Sequence, residues 1–345
     1  MDTALSVSLL GVPGSPYTRK MLAVLRYRRI PYRLILGSHR DAPMELPRPR
    51  VQLLPVFYFS TSGGGLEAVV DSTPIIRRLE SEHPGRSVIP QDPVLAFLND
   101  LLEDYADEWL TKIMFHYRWH FPEDIKNAGK ILPLWSNNML SGETLEQVSK
   151  SIIDRQVGRL YVVGSNENTA RIIEESYLNY LGIVSRHLEC SPFLLGSRAA
   201  SCDFAAFGQL TQLTQVDPTP MALARDHGPR VMAWVGLVED LSGLEPDPDG
   251  WISRDQLPAT LLQLLKEVGR TYVPVMLANA HALKEGAQRV ETKVAGKPWV
   301  QDPFPYHGRC LTWLREAYEA LCGEDRRRTD EILKDTGCDA MFQDG

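Results

Sequence analysis

The spacing of apolar residues changes character near residue 92, and that change constrains the fold more than any other feature. Before it, short apolar runs alternate with single helical stretches; after it, the period is helical almost throughout. Residues 5–10 read as a strand that ends in the turn Gly11-Val12-Pro13-Gly14. From Pro16 a helical pattern puts Met21, Leu22 and Leu25 on one face and Arg19, Lys20 and Arg26 on another, until Ile30-Pro31 stops it. Residues 32–36 read as a second strand, 51–59 as a third interrupted by Pro55, and 66–70 as a fourth after the loop Ser60-Thr61-Ser62-Gly63-Gly64-Gly65. Asp71-Ser72-Thr73-Pro74 then opens a helix, with Asp71 or Ser72 as cap.

Residues 83–93 form a linker by composition. Beyond it Leu98, Leu101, Leu102, Tyr105, Trp109, Ile113 and Tyr117 continue one apolar helical face. Further helices are expected over 170–188, 203–213, 227–241, 256–283 with a kink at Pro274, and around Leu311 to Leu321. Residues 245–250 form a second break, and 324–335 a solvated mixed-charge helix face. The chain, with 345 residues, is long enough for two sizeable cores.

The net charge of -7 argues against nucleic acid or an anionic membrane as partner. No apolar run reaches the ~18–20 residues of a membrane span, and the acidic N-terminus does not read as a secretory signal. Cys190, Cys202, Cys310, Cys322 and Cys338 are scattered and odd in number. They suggest a cytoplasmic location and neither a metal site nor a disulfide framework.

Three places could carry chemistry. Ser15 lies in Gly14-Ser15-Pro16-Tyr17-Thr18, between a strand end and a helix start. Unpaired amides and the positive dipole end there favour an anion such as a thiolate, and the hydroxyl could donate to a bound sulfur. The same serine could equally be a plain N-cap. Leu54-Pro55 sits inside an apolar strand, where a residue without an N–H marks either a cis bond that exposes backbone to a peptide-like ligand or an ordinary edge strand. Asp71-Ser72 is either a small anion site at a helix start or a common cap.

In this order and spacing, the three features resemble the N-terminal domain of the glutathione S-transferases. Ser15-Pro16-Tyr17-Thr18 stands where glutaredoxins carry C-P-Y-C and omega-class transferases C-P-F; the nearest likeness is to serine- and omega-like classes. Residues 82–90 resemble the family's interdomain linker, and Leu194-Leu195-Gly196 with Cys202-Asp203-Phe204-Ala205-Ala206-Phe207 its buried capping segment. The resemblance implies an α/β thioredoxin-like N-terminal domain followed by an all-α helical-bundle domain. The expected divisions are a glutathione-binding domain over 1–90, a helical domain over 94–245 and a helical extension over 246–345. It also implies a homodimer, with glutathione as co-substrate and no metal.

Carried over by residue, Ser15 would contact the glutathione sulfur, and the backbone of Leu54, ahead of a cis Pro55, would pair with the cysteinyl part. Ser72 would take the γ-glutamyl carboxylate and Asp71 face its ammonium. Arg40, Arg48 and Arg50 are alternatives for the glycine carboxylate. The capping segment departs from the family at Ala200, with Ser201 one residue later, and Thr18 excludes a dithiol mechanism. The electrophile would lie beside Tyr17 and the aromatic run Met114 to Phe121, where His116 or Tyr117 could polarise it or simply pack in the core. The implied activity is addition of the glutathione thiolate to an apolar electrophile. A non-catalytic binding or scaffold role, or lyase, reductase or isomerase chemistry on the same fold, are the alternatives. The extension, with Tyr272-Val273-Pro274 and an aromatic, proline-rich run from Trp299, would close the acceptor pocket, mediate dimer contact or form a third unit.

Overall fold

The computed structural model describes residues 7–39 and 42–343, so Arg40 and residues 5 and 6 of the first expected strand lie outside it. The N-terminal domain is a four-stranded sheet, β1 (Val7–Gly11), β2 (Tyr32–Leu36), β3 (Val56–Ser60) and β4 (Leu66–Val69), in the order β2-β1-β3-β4. β1 is the parallel partner of β2, with Leu9 opposite Leu34, and the antiparallel partner of β3, with Leu9 opposite Phe57. The parallel pair needs a crossover, supplied by α1 (Pro16–Tyr27); α2 (Ser72–Glu82) follows β4. β3 starts only at Val56, later than expected, and the Leu54–Pro55 peptide just before it is cis.

The second region begins with α3 (Pro93–Tyr105), a π-helical turn (Ala106–Leu110) and α4 (Thr111–His120), so the long apolar face spans three elements. It continues through α5 (Pro122–Ser136), α6 (Gly142–Val157), α7 (Ala170–His187), α8 (Ser201–Gln215), α9 (Pro218–His227) and α10 (Pro229–Val238). The helix expected over 227–241 begins instead at Pro229, because Gly228 and a proline at the first helical position separate α9 from α10. The capping segment is built around Asp203, whose carboxylate accepts from the backbone of Leu194 and Ala200, both at 2.9 Å. Ser201 does not cap: its hydroxyl bonds Asn99 and Glu103.

Residues beyond 245 are not helical alone. After α11 (Ala259–Glu285), a hairpin of β5 (Val290–Val294) and β6 (Lys297–Gln301) precedes α12 (Pro305–Ala320) and α13 (Gly323–Leu333). Its turn, Ala295-Gly296, has both residues at positive φ, as a two-residue hairpin of type I′ requires. The hairpin packs inward: the Trp299 ring lies 5.3 Å from that of Trp109, a fully buried residue whose Nε1 donates to Ser176. Tyr272 of α11 meets Tyr105 and Trp109 edge-on, so the extension shares the core of the helical region. Among the described residues, no helix is long and apolar enough to cross a membrane.

The two regions meet mainly where α8 crosses α1. Gly208 permits the approach: a Cβ there would lie 2.5 Å from the Pro16 carbonyl oxygen. This crossing fixes the first turn of α1 against the helices that carry the rest of the site.

Candidate functional site

Ser15 caps α1. Its Oγ accepts from the Thr18 N–H at 3.2 Å and donates to the Leu54 carbonyl at 3.4 Å. Residues 39 positions apart in the chain therefore meet at the positive end of a helix. No acidic residue lies in the first turn to oppose an anion. The preceding loop is clamped from the second region: Gln212 donates to the Pro13 carbonyl at 3.1 Å and Arg118 to the Gly14 carbonyl at 3.2 Å. Arg118 is itself held by the buried carboxylate of Asp217 and by Gln212. Leu132 and Trp135 of α5 stand against Gly14, where an added Cβ would come within 2.6 and 2.9 Å of them. They put an apolar, aromatic wall next to Ser15.

Ser72 begins α2 and is buried, its Oγ accepting from the Lys20 ammonium at 3.0 Å. Lys20 also donates to Glu103 at 2.7 Å and Asp107 at 2.6 Å. The sequence places Lys20 on the polar face of α1; the structure buries it completely, because α8 packs over α1 while Glu103 of α3 and Asp107 of the π-helical turn supply its counter-charges. Opposite charges and hydrogen bonds from Asp107 and Glu103 outweigh the desolvation of the ammonium and keep it charged. Glu103, against Lys20 and Arg77, is correspondingly held well below the usual carboxylate range.

Asp71, with φ at 86°, precedes α2 without capping it through its side chain. Its Oδ2 instead accepts from the Tyr306 hydroxyl at 2.8 Å. Burial raises the Asp71 carboxyl above its ordinary range, partly offset by that bond. The start of the C-terminal extension's α12 thus sits on the residue before α2.

Tyr17 turns toward the second region, its hydroxyl donating to the Asp107 carbonyl at 2.7 Å and sharing a bond with Thr111. Burial pushes this phenol well above its usual range, so it stays protonated. His116 and Tyr117 have no bond to the Ser15 loop. His116 is fully buried, bonded to Ser165 at 2.8 Å and Glu174 at 3.4 Å and stacked on His120; desolvation lowers it to about 3 and leaves the ring neutral. Tyr117 packs on Phe121 and Tyr177. Successive helical residues point about 100° apart, and in this aromatic run it is Arg118 that faces the Ser15 loop. Arg48 ties its own loop through the His39 and Ala42 carbonyls, while Arg50 is exposed.

The residues that sequence reasoning missed are Lys20 as a buried charge, its partners Glu103 and Asp107, the wall residues Leu132 and Trp135, and Tyr306. One signal was present: Glu103 and Asp107 sit four apart on an apolar helix, as if facing a buried cation.

The fold is a thioredoxin-like domain joined to a helical one, with Ser15 and Leu54 bonded to each other at the head of α1. Residues 9–87 match the family model for the glutathione S-transferase N-terminal domain. Similar solved structures include a glutathione S-transferase from Methylobacterium radiotolerans in complex with glutathione sulfonate. It is 17% identical, and the match covers 72% of this chain and 98% of that one with a TM-score of 0.41. A glutathione transferase family member from Pseudomonas fluorescens Pf-5 with bound glutathione is 18% identical, over 70% of this chain and 100% of that one, with a TM-score of 0.38. Glutathione transferase E6 from Drosophila melanogaster is 16% identical, over 68% and 88%, with a TM-score of 0.41. A comparison with curated proteins gives no match.

Proposed function

We propose that the chain binds glutathione across the face that runs from Ser15 to Ser72 and adds its thiolate to an apolar electrophile. The observation that carries this reading is the Ser15 hydroxyl, poised at the tip of α1 and bonded across to Leu54. On binding, the hydroxyl hydrogen would turn from the Leu54 carbonyl to the sulfur. The thiol proton leaves to solvent, and the thiolate is held by that donor and by the helix end. The sulfur then forms a bond to the electrophilic carbon, from which a leaving group departs with its electron pair, or, in an addition to a double bond, the displaced electron pair is protonated from solvent at the neighbouring carbon. The Leu54 backbone would hold the cysteinyl part, with Pro55 fixing the turn beside it. Ser72, with the first amides of α2, would take the γ-glutamyl carboxylate, and Asp71 its ammonium. The acceptor would lie against Leu132 and Trp135, which flank the Ser15 loop. Tyr17 would help define the inner wall, and the buried His116 and Tyr117 would shape the supporting helix. A hydroxyl nucleophile-stabiliser fits conjugation better than thiol transfer.

The test is glutathione affinity by calorimetry together with conjugation of a generic aryl halide across pH. Saturable binding with turnover supports the reading; no binding rejects it. A second reading, binding without turnover, is favoured by one specific feature. Both residues assigned to the γ-glutamyl end already have partners, Ser72 from Lys20 and Asp71 from Tyr306. Glutathione binding with no conjugation of any electrophile would select it. A homodimer in the cytoplasm is part of the proposal, and sedimentation of the purified chain tests the first half.

A further inference from the structure

A cavity of about 240 Å³ opens between α2, the π-helical turn after α3, and α12. Its inner surface is acidic, with Asp104, Asp107 and Glu108, while Tyr306, Trp313 and Leu314 of α12 form the opposite wall. The cations nearby are largely committed, although Arg77 Nη1 has no hydrogen-bond partner among the described residues. Arg77 pairs with Asp100 and Glu103, and Lys20 with Glu103 and Asp107. Lys112, whose charge Glu108 also feels, gives its ammonium to the Val163 carbonyl and Gln301.

Carboxyl groups are therefore left over. Asp104 accepts from uncharged donors, the Tyr272 hydroxyl at 2.6 Å and the Cys310 thiol. The Glu108 partner is His307 at 3.0 Å, an imidazole that burial keeps neutral. Asp107 is only 5% exposed, yet its Oδ1 is without a hydrogen-bond partner among the described residues. A buried carboxylate oxygen with no donor is costly unless a proton or a cation supplies one. Consistent with this, burial first and neighbouring acids second raise Asp104 to about 8; burial raises Glu108 to about 7. The acids are not arranged for chelation: among the described residues, no three acidic, histidine or cysteine side chains converge to hold a metal ion. An ammonium group meets the requirement differently, with three donors on one atom and a preference for aromatic faces.

We propose that this cavity binds the ammonium group of a small primary amine, with its carbon body against Tyr306, Trp313 and Leu314. The ammonium donates to the carboxyl groups of Asp104 and Glu108 that line the cavity, beside the buried Asp107. The exposed Pro74 and half-exposed Trp313 leave the rim open to solvent. This site is additional to the glutathione reading and does not depend on it, since neither Ser15 nor Leu54 lines the cavity.

The test is calorimetry on the full chain with phenethylamine and with 2-phenylethanol, its neutral counterpart of similar shape. Saturable one-to-one binding of the amine is expected, with the alcohol weaker by about tenfold or more. Asp104→Asn and Glu108→Gln should each weaken the amine by a similar factor, and Ser15→Ala should leave it unchanged. The proposal is overturned if amine and alcohol bind alike or neither saturates, or if folded Asp104→Asn and Glu108→Gln proteins bind the amine as the parent does. Competitive displacement of the amine by glutathione overturns it too, by assigning these acids to the γ-glutamyl end. Should both variants fail to fold, the amine–alcohol comparison on the parent chain still decides.

Discussion

The Tyr306 hydroxyl donates a 2.8 Å hydrogen bond to Asp71, a residue 235 positions earlier in the chain. The bond pins the first turn of α12 onto the entry to α2 and joins the C-terminal extension to the N-terminal domain at the edge of the proposed glutathione-binding face. The extension is therefore neither a tail nor a separate unit at this point.

Removing that bond separates its structural and functional parts. Tyr306→Phe keeps the ring against Phe304 and Trp313 and loses only the hydroxyl. The expected cost is about 1–3 kcal/mol of stability in urea unfolding, as for a hydrogen bond to a charged acceptor. Because the Asp71 carboxylate is released, glutathione affinity should hold or rise. Affinity that falls by tenfold or so would mean that Tyr306 belongs to the ligand site and does not merely occupy Asp71.

Lys20 carries a heavier structural load. Lys20→Met leaves Glu103 and Asp107 without their buried cation, and one-sided removal of a buried pair costs about 3–5 kcal/mol. Chemical denaturation should show that loss, or failure to fold. A loss of under about 1 kcal/mol would show that the two acids are neutral in the folded chain and that Lys20 is dispensable to them.

The acidic cluster also sets a pH dependence. Asp104, Glu108 and Asp203 have folded values near 8, 7 and 7, raised by burial above their ordinary ones. The folded state thus holds protons that the unfolded chain has lost, and stability falls as pH rises through these values. The buried His116, His187 and His307 act in the opposite sense until their unfolded forms have lost most of their protons, so the window runs from about pH 7 to about pH 8, where Lys112, lowered to about 8, also opposes. Urea midpoints should decrease across it. A flat or rising profile would mean that these carboxyls are ionised, and paired, in the folded protein.

The acceptor wall gives a prediction of a different kind. Leu132→Ala and Trp135→Ala remove apolar surface beside Gly14 without touching Ser15 or Leu54. Each should raise KM for an aryl electrophile several-fold while glutathione affinity stays within about twofold. Equal losses for both substrates would place the acceptor elsewhere and make these side chains supports of the loop.

Much of this architecture was legible in the residues themselves. The strand–helix–strand start through Tyr32, the turn before α1 and the helix after Asp71 all follow local rules of period, proline and cap, and the structure reproduces them. Ser15 and Leu54, known from the chain only as a cap and a strand proline's neighbour, meet because β1 and β3 pair in the sheet. What could not be read was set by packing between distant segments. Lys20 looks like a surface charge until α8 covers it, and nothing local to Tyr306 says that it reaches Asp71. In the aromatic run from Met114 the residue types gave no sign that Arg118, and not His116 or Tyr117, would face the loop. The β5–β6 hairpin carried its own signal in Ala295-Gly296 between alternating residues, overlooked against a helical background.

The most direct test of the account is the ionisation of glutathione on the protein, followed by thiolate absorbance across pH for the parent chain and Ser15→Ala. The variant also loses its N-cap bond to Thr18, worth about 1 kcal/mol, so the comparison is made well below the unfolding temperature. The account predicts a bound thiol at least one pKa unit below free glutathione in the parent, with most of that shift lost in Ser15→Ala while glutathione remains bound. A bound thiol that titrates like free glutathione in the parent, or a lowered value that survives in Ser15→Ala, would contradict it.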